Sequence, residues 1–142
     1  MNIDVLELTA ELVKYESISR ATNVPVTRHL AKVLRALGFK VEMLPYTDAA
    51  GVAKLTIVAR LGRAGKGGLS LMSHDDVVPA GPAGDWTGNP FQVREHDGKL
   101  YGRGACDMKG PLAASICAAC RFTEGDLRQP LYIVVTSDEE IN

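Results

Sequence analysis

Three short stretches of this sequence carry residues able to do chemistry, and each holds at least one carboxylate. Ser73-His74-Asp75-Asp76 offers an imidazole followed by carboxylates. Gly102-Arg103-Gly104-Ala105-Cys106-Asp107-Met108-Lys109-Gly110 sets one carboxylate among three glycines, where the backbone turns sharply and approaches a ligand closely. Ser137-Asp138-Glu139-Glu140 supplies a glutamate pair. A histidine, an isolated aspartate and paired glutamates are the parts of a carboxylate-rich metal site. Hydrolysing an amide at neutral pH needs a nucleophilic water, a place for developing negative charge and a proton for the leaving amine. Paired metals about 3.5–4 Å apart serve the first two needs.

Within that chemistry, His74 offers a neutral imidazole to zinc or a similar ion, and Asp107 suits a bridge between two cations. Asp76 reaches back to orient His74, whereas Asp75, one residue earlier on extended backbone, faces away. The same alternation separates Glu139 from Glu140, so that one ligates while the other stays free as a general base. Asp107 has a plainer alternative as a helix N-cap.

The positioning elements follow from hydrophobic period. Val5, Leu8 and Leu12 predict a helix over 4–15 with Asp4 as N-cap, and Leu30, Val33, Leu34 and Leu37 predict a second over 26–37, closed by Gly38. Alternation predicts strands over 40–46 and 52–61. Gly62 to Gly68 reads as a flexible hairpin connection, and it lacks the Ser or Thr after lysine that a phosphate loop requires. Leu69 to Ser73 reads as a buried strand delivering His74, and Leu131 to Val135 as a buried strand ending at the glutamate pair. Between them lie a long Pro- and Gly-rich loop carrying Trp86, a hairpin around His96-Asp97-Gly98, and a largely buried helix over 108–122. Cys117 and Cys120 read as small core residues, His29 as a surface residue and His96 as a turn residue. The expected fold is α/β, a layered domain with a mixed, mainly parallel sheet and helices on both faces.

Composition narrows the function classes. The chain has 142 residues, 46% of them hydrophobic, which supports one domain with a core. With 16 basic and 17 acidic residues interspersed, no charge argument favours nucleic acid or an anionic membrane. No uncharged apolar run approaches a membrane span and the first residues lack a signal-peptide pattern. The odd cysteine count of three argues against a disulfide framework, so a cytoplasmic location is expected. Asn142 stands two residues after the acidic cluster, which reads as part of a longer chain.

The motifs taken together resemble a known family. His74-Asp75-Asp76-Val77-Val78-Pro79, Trp86, Pro90-Phe91, Asp97 to Gly104, Cys106-Asp107-Met108-Lys109-Gly110 and Thr136-Ser137-Asp138-Glu139-Glu140 are similar to the acetylornithine deacetylase, succinyl-diaminopimelate desuccinylase and carboxypeptidase G family, leaning toward the first. The resemblance implies a zinc-exopeptidase-like catalytic domain, of which residues 1–142 are the amino-terminal part. It implies two divalent ions, zinc or cobalt, with His74 on one, Asp107 bridging, Glu140 on the other, Glu139 as general base and Asp76 orienting His74. It also implies a cis peptide at Asp107-Met108. The implied substrate is an N-acyl amino acid or a dipeptide, with a place in arginine biosynthesis for the deacetylase, and the full-length protein is a homodimer. Family members are longer, with a further aspartate, a late histidine and a lid and dimerisation domain. Three of five expected ligands lie here, so a catalytically inactive metal- or partner-binding fragment is the alternative.

Overall fold

Asp4 accepts hydrogen bonds on its carboxylate from the Leu6 and Glu7 amides and so starts helix α1, Val5–Val13. Helix α2, Val24–Ala36, places Pro25 in its first turn and ends before Gly38, whose φ of +87° closes it. Strands β1 (Lys40–Thr47) and β2 (Ala53–Leu61) follow, then β3 (Leu69–His74). A small hairpin, β4 (Arg94–His96) and β5 (Lys99–Tyr101), turns through Asp97 and Gly98, both at positive φ. Helix α3 (Gly110–Ala119) and strand β6 (Leu131–Thr136) complete the fold. This computed structural model describes residues 3–141, and among them no helix is long and apolar enough to cross a membrane.

The main sheet runs β1-β2-β6-β3. It is mixed, as expected, but not mainly parallel. β1 with β2 and β2 with β6 are antiparallel, and only β3 with β6 is parallel. A short turn held by Asp48, which accepts from the Ala50 and Val52 amides, forces the first pair to be antiparallel. Helix α3 lies between β3 and β6 in the chain and allows the one parallel pair. Because β6 separates β2 from β3, residues 62–68 are not a hairpin; they carry the chain past a position filled later by β6.

The helices also differ from expectation by packing on one face only. Leu8 and Leu12 of α1, Leu30 and Leu34 of α2, and Leu112 and Ile116 of α3 join Ile57, Ala59, Ile133 and Val135 in a single buried cluster. All the strand members are odd-numbered, so they share one side of the pleat. On the other side Val58 and Val134 are half-buried and Met72 is 68% exposed. Helices α1 and α2 both precede the sheet and lie with α3, which leaves the even-numbered face without a helix among the described residues. Strand β3 is correspondingly an exposed edge rather than buried: Leu69 is 60% exposed and only Ser73 and His74 are buried.

Two local expectations shift as well. Helix α3 begins at Gly110 because Asp107 and Met108 have non-helical backbone angles, and its N-cap is Lys109 rather than Asp107. The Asp107–Met108 peptide is cis, as the resemblance implied. Cys117 and Cys120 are half-buried and unpaired, with their thiols on the Ile3 and Cys117 carbonyls, beside the core rather than inside it. His29 is half-buried, 3.2 Å from Glu11, and His96 is exposed beside Asp97.

Candidate metal centre

Parallel pairing of β3 with β6 puts His74 opposite Thr136, so the histidine and the acidic turn leave the sheet at the same carboxyl edge. The Asp75 amide donates to the Thr136 carbonyl at 3.0 Å and extends that register by one residue. Asp107 arrives from the glycine-framed turn, closed by the Lys109 amide donating to the Gly104 carbonyl at 2.8 Å.

Glycine is required here. Gly104 has φ +79°, and a Cβ would lie 2.5 Å from Val77 Cγ1; at Gly110 a Cβ would collide with the Ala105 carbonyl oxygen. Gly104→Ala therefore combines a left-handed backbone with overpacking. It is expected to cost about 2–4 kcal/mol, read as a lowered midpoint in urea unfolding.

The two imidazole nitrogens have separate tasks. His74 Nδ1 lies 3.0 Å from the Asp76 main-chain oxygen and 3.3 Å from its carboxylate. Nε2 faces Asp107 Oδ1 at 3.2 Å and Glu139 Oε2 at 3.6 Å. Ligand atoms of His74, Glu139 and Glu140 all lie within 4.8 Å of one another. The histidine is 95% enclosed by side-chain exposure, at 5%, while Asp107 and Glu139 are open to solvent at 74% and 60%.

Electrostatics in this cluster leave negative charge in excess. Burial raises the Glu140 pKa, Asp107 and Glu139 raise it further, and His74 opposes them. At His74 burial works against protonation, yet Asp76, Asp107 and Glu139 outweigh it and hold its pKa above the ordinary value. One imidazole and three carboxylates converging on one opening fit hard or borderline divalent cations.

Asp76 does more than touch the histidine. Its buried carboxylate accepts from the Ser19 hydroxyl at 2.7 Å and from the Glu139 and Glu140 amides at 3.3 and 3.2 Å. It thereby ties the histidine segment to the acidic turn. Asp75 faces inward, away from the cluster, with Asn23 and Thr27 donating to its carboxylate at 2.9 and 2.7 Å. Burial pushes its pKa up to about 6, and burial pushes that of the enclosed Lys109 down to about 8.

Ser19, Asn23 and Thr27 on the two aspartates, Tyr46 and Lys54 on the Asp138 carboxylate, and the enclosed Lys109 form a supporting layer whose roles no spacing in the sequence marks. Lys54 stands inside the apolar alternation of β2, where a lysine reads as a solvated side chain.

The model of peptidase family M20/M25/M40 matches residues 70–142. The chain belongs to this family. It is 41% identical over 133 residues to acetylornithine deacetylase of Myxococcus xanthus, covering 92% of this chain and 34% of that protein. It is 37% identical to succinyl-diaminopimelate desuccinylase of Pseudoalteromonas atlantica, covering 99% and 36%. Among solved structures, human carnosine dipeptidase 1 superposes with a TM-score of 0.82 at 32% identity, over 97% of this chain and 32% of that one. An M20 family metallo-carboxypeptidase from Sulfolobus solfataricus gives 0.78 at 25% identity, over 98% and 32%. This M20-family chain thus spans about a third of the length of the relatives it matches.

Proposed function

We propose that these residues form the amino-terminal part of the catalytic domain of a metal-dependent amidohydrolase that cleaves N-acyl amino acids. The remainder of that domain and a lid and dimerisation domain belong to the rest of a longer, homodimeric protein. The observation that carries this reading is the convergence of His74 Nε2 with the Asp107, Glu139 and Glu140 carboxylates at one sheet edge. In it, His74, Asp107 and Glu140 would hold two divalent ions, zinc or cobalt, with Asp107 as the ligand shared by both. When bound, such ions lower the pKa of a water and polarise the acyl carbonyl.

This chain's own residues then divide the proton work. Glu139, more exposed than the buried groups beneath it, takes the proton from the attacking water and returns it to the departing amine. Asp76 holds His74 by Nδ1, which leaves Nε2 as the ligating nitrogen. The names of the relatives support an acyl amino acid, and that of carnosine dipeptidase 1 supports a dipeptide as the second substrate class. The unpaired cysteines fit a cytoplasmic location.

A titration of the purified chain with cobalt(II), followed by visible absorbance, tests the ligand set. Asp76→Ala is expected to weaken binding about 10–100-fold and His74→Ala by at least as much. Equal affinity of wild type and His74→Ala would remove His74 from the site. A second reading, metal or partner binding without catalysis by the 142 residues alone, draws on the sheet face left without a helix, where Met72 is 68% exposed. Hydrolysis of an N-acetyl amino acid by the purified chain with added cobalt would exclude it.

A further inference from the structure

The acidic turn is held from behind by a buried ammonium. Lys54 has a fully enclosed side chain, and Nζ donates to the Ser19 carbonyl, to the Ala21 carbonyl at 2.8 Å and to Asp138 Oδ1 at 2.5 Å. Its three protons are thus all used. Asp138 Oδ2 accepts from the Tyr46 hydroxyl at 2.9 Å, and that hydroxyl also meets Ser137 Oγ at 2.6 Å. Asp138 itself sits at φ +63°, a left-handed conformation uncommon for non-glycine residues, though aspartate enters it more readily than most. This reversal of the chain after β6 is what presents Glu139 and Glu140 to His74.

Lys54 also reaches the other side of the site. Ser19, whose carbonyl receives the ammonium, gives its hydroxyl to the Asp76 carboxylate, and Asp76 receives the Glu139 and Glu140 amides. The contacts close a ring: Lys54, Ser19, Asp76, the Glu139–Glu140 backbone, Asp138, and Lys54 again. An apolar side chain would fill the position of Lys54 with less desolvation cost, so the pair argues weakly for stability, and its contacts bear on the geometry of the turn.

We propose that Lys54 and Tyr46 are positioning residues that clamp Asp138 in its left-handed conformation, and so set the Glu139 and Glu140 carboxylates for metal binding. The metal part rests on the functional reading above; the clamp does not.

Two readouts separate them: amide hydrogen exchange at Glu139 and Glu140 in the metal-free chain, and cobalt(II) affinity by absorbance. Tyr46→Phe removes one hydroxyl from an exposed ring, and Lys54→Met removes the ammonium. Each is expected to speed exchange at both amides at least tenfold and to weaken cobalt binding about tenfold, while Tyr101→Phe, in the separate hairpin, changes neither. Unchanged exchange in either variant, if folded by circular dichroism, overturns the clamp; should Lys54→Met not fold, Tyr46→Phe decides alone. Faster exchange with unaltered cobalt affinity overturns its role in metal binding. A wild-type chain that binds no cobalt defeats the functional reading, and exchange then decides the clamp by itself.

Discussion

Replacing Glu139 with alanine in the full-length protein is expected to lower turnover of an N-acetyl amino acid by about 100- to 10,000-fold, the range of a lost general base. Metal content should stay near wild type. The contrast with its neighbour is the informative part. Glu139 and Glu140 share an anchor, since both amides donate to Asp76, and their carboxylates both come within 4.8 Å of a His74 ring nitrogen, but the proposed roles differ: Glu140 ligates and Glu139 moves the proton. Glu140→Ala should therefore lose metal together with activity, whereas Glu139→Ala should separate the two. Metal analysis of both variants beside steady-state kinetics checks this. Retained turnover in Glu139→Ala would move the base elsewhere.

The second large effect is on stability. Ile133 lies at the centre of β6, fully buried, paired with Ala59 on one side and Leu71 on the other and facing the helices. Ile133→Ala is expected to cost about 3 kcal/mol through lost burial and an unfilled cavity, which lowers the thermal midpoint by roughly 10 °C. Leu69→Ala, on the β3 edge at 60% exposure, should stay within about 0.5 kcal/mol. Differential scanning calorimetry of the pair checks both values. Similar losses at the two positions would mean that the β3 edge is covered in solution.

Much of the candidate site was legible because its parts are local. His74 and the Asp138–Glu140 turn each end a run of strand residues, and Asp107 stands out among glycines that the backbone needs at 104 and 110. The supporting layer was hidden for the opposite reason. A lysine on the polar side of an alternating strand reads as solvated, and Lys54 of β2 becomes a buried ring member only through Ser19 and Asp138, 35 residues before it and 84 after it. Ser19, Asn23 and Thr27 likewise look like ordinary polar residues before and within the first turn of α2 until Asp75 and Asp76 are brought onto them.

By itself the sequence determined where the helices and strands lie, which acidic and imidazole groups could meet a metal, and the kinship carried by those motifs. Period, capping residues and glycine placement act over a few neighbours, so they are readable without a partner. The tertiary structure alone decided that β6 enters between β2 and β3, that two of the three pairings are antiparallel, and that the helices share one face. An apolar run such as Leu69 to Ser73 has the same composition at an edge as in a centre. Which of the two it occupies depends on hydrogen bonds to a strand about sixty residues later in the chain, with loop closure and side-chain packing choosing the partner.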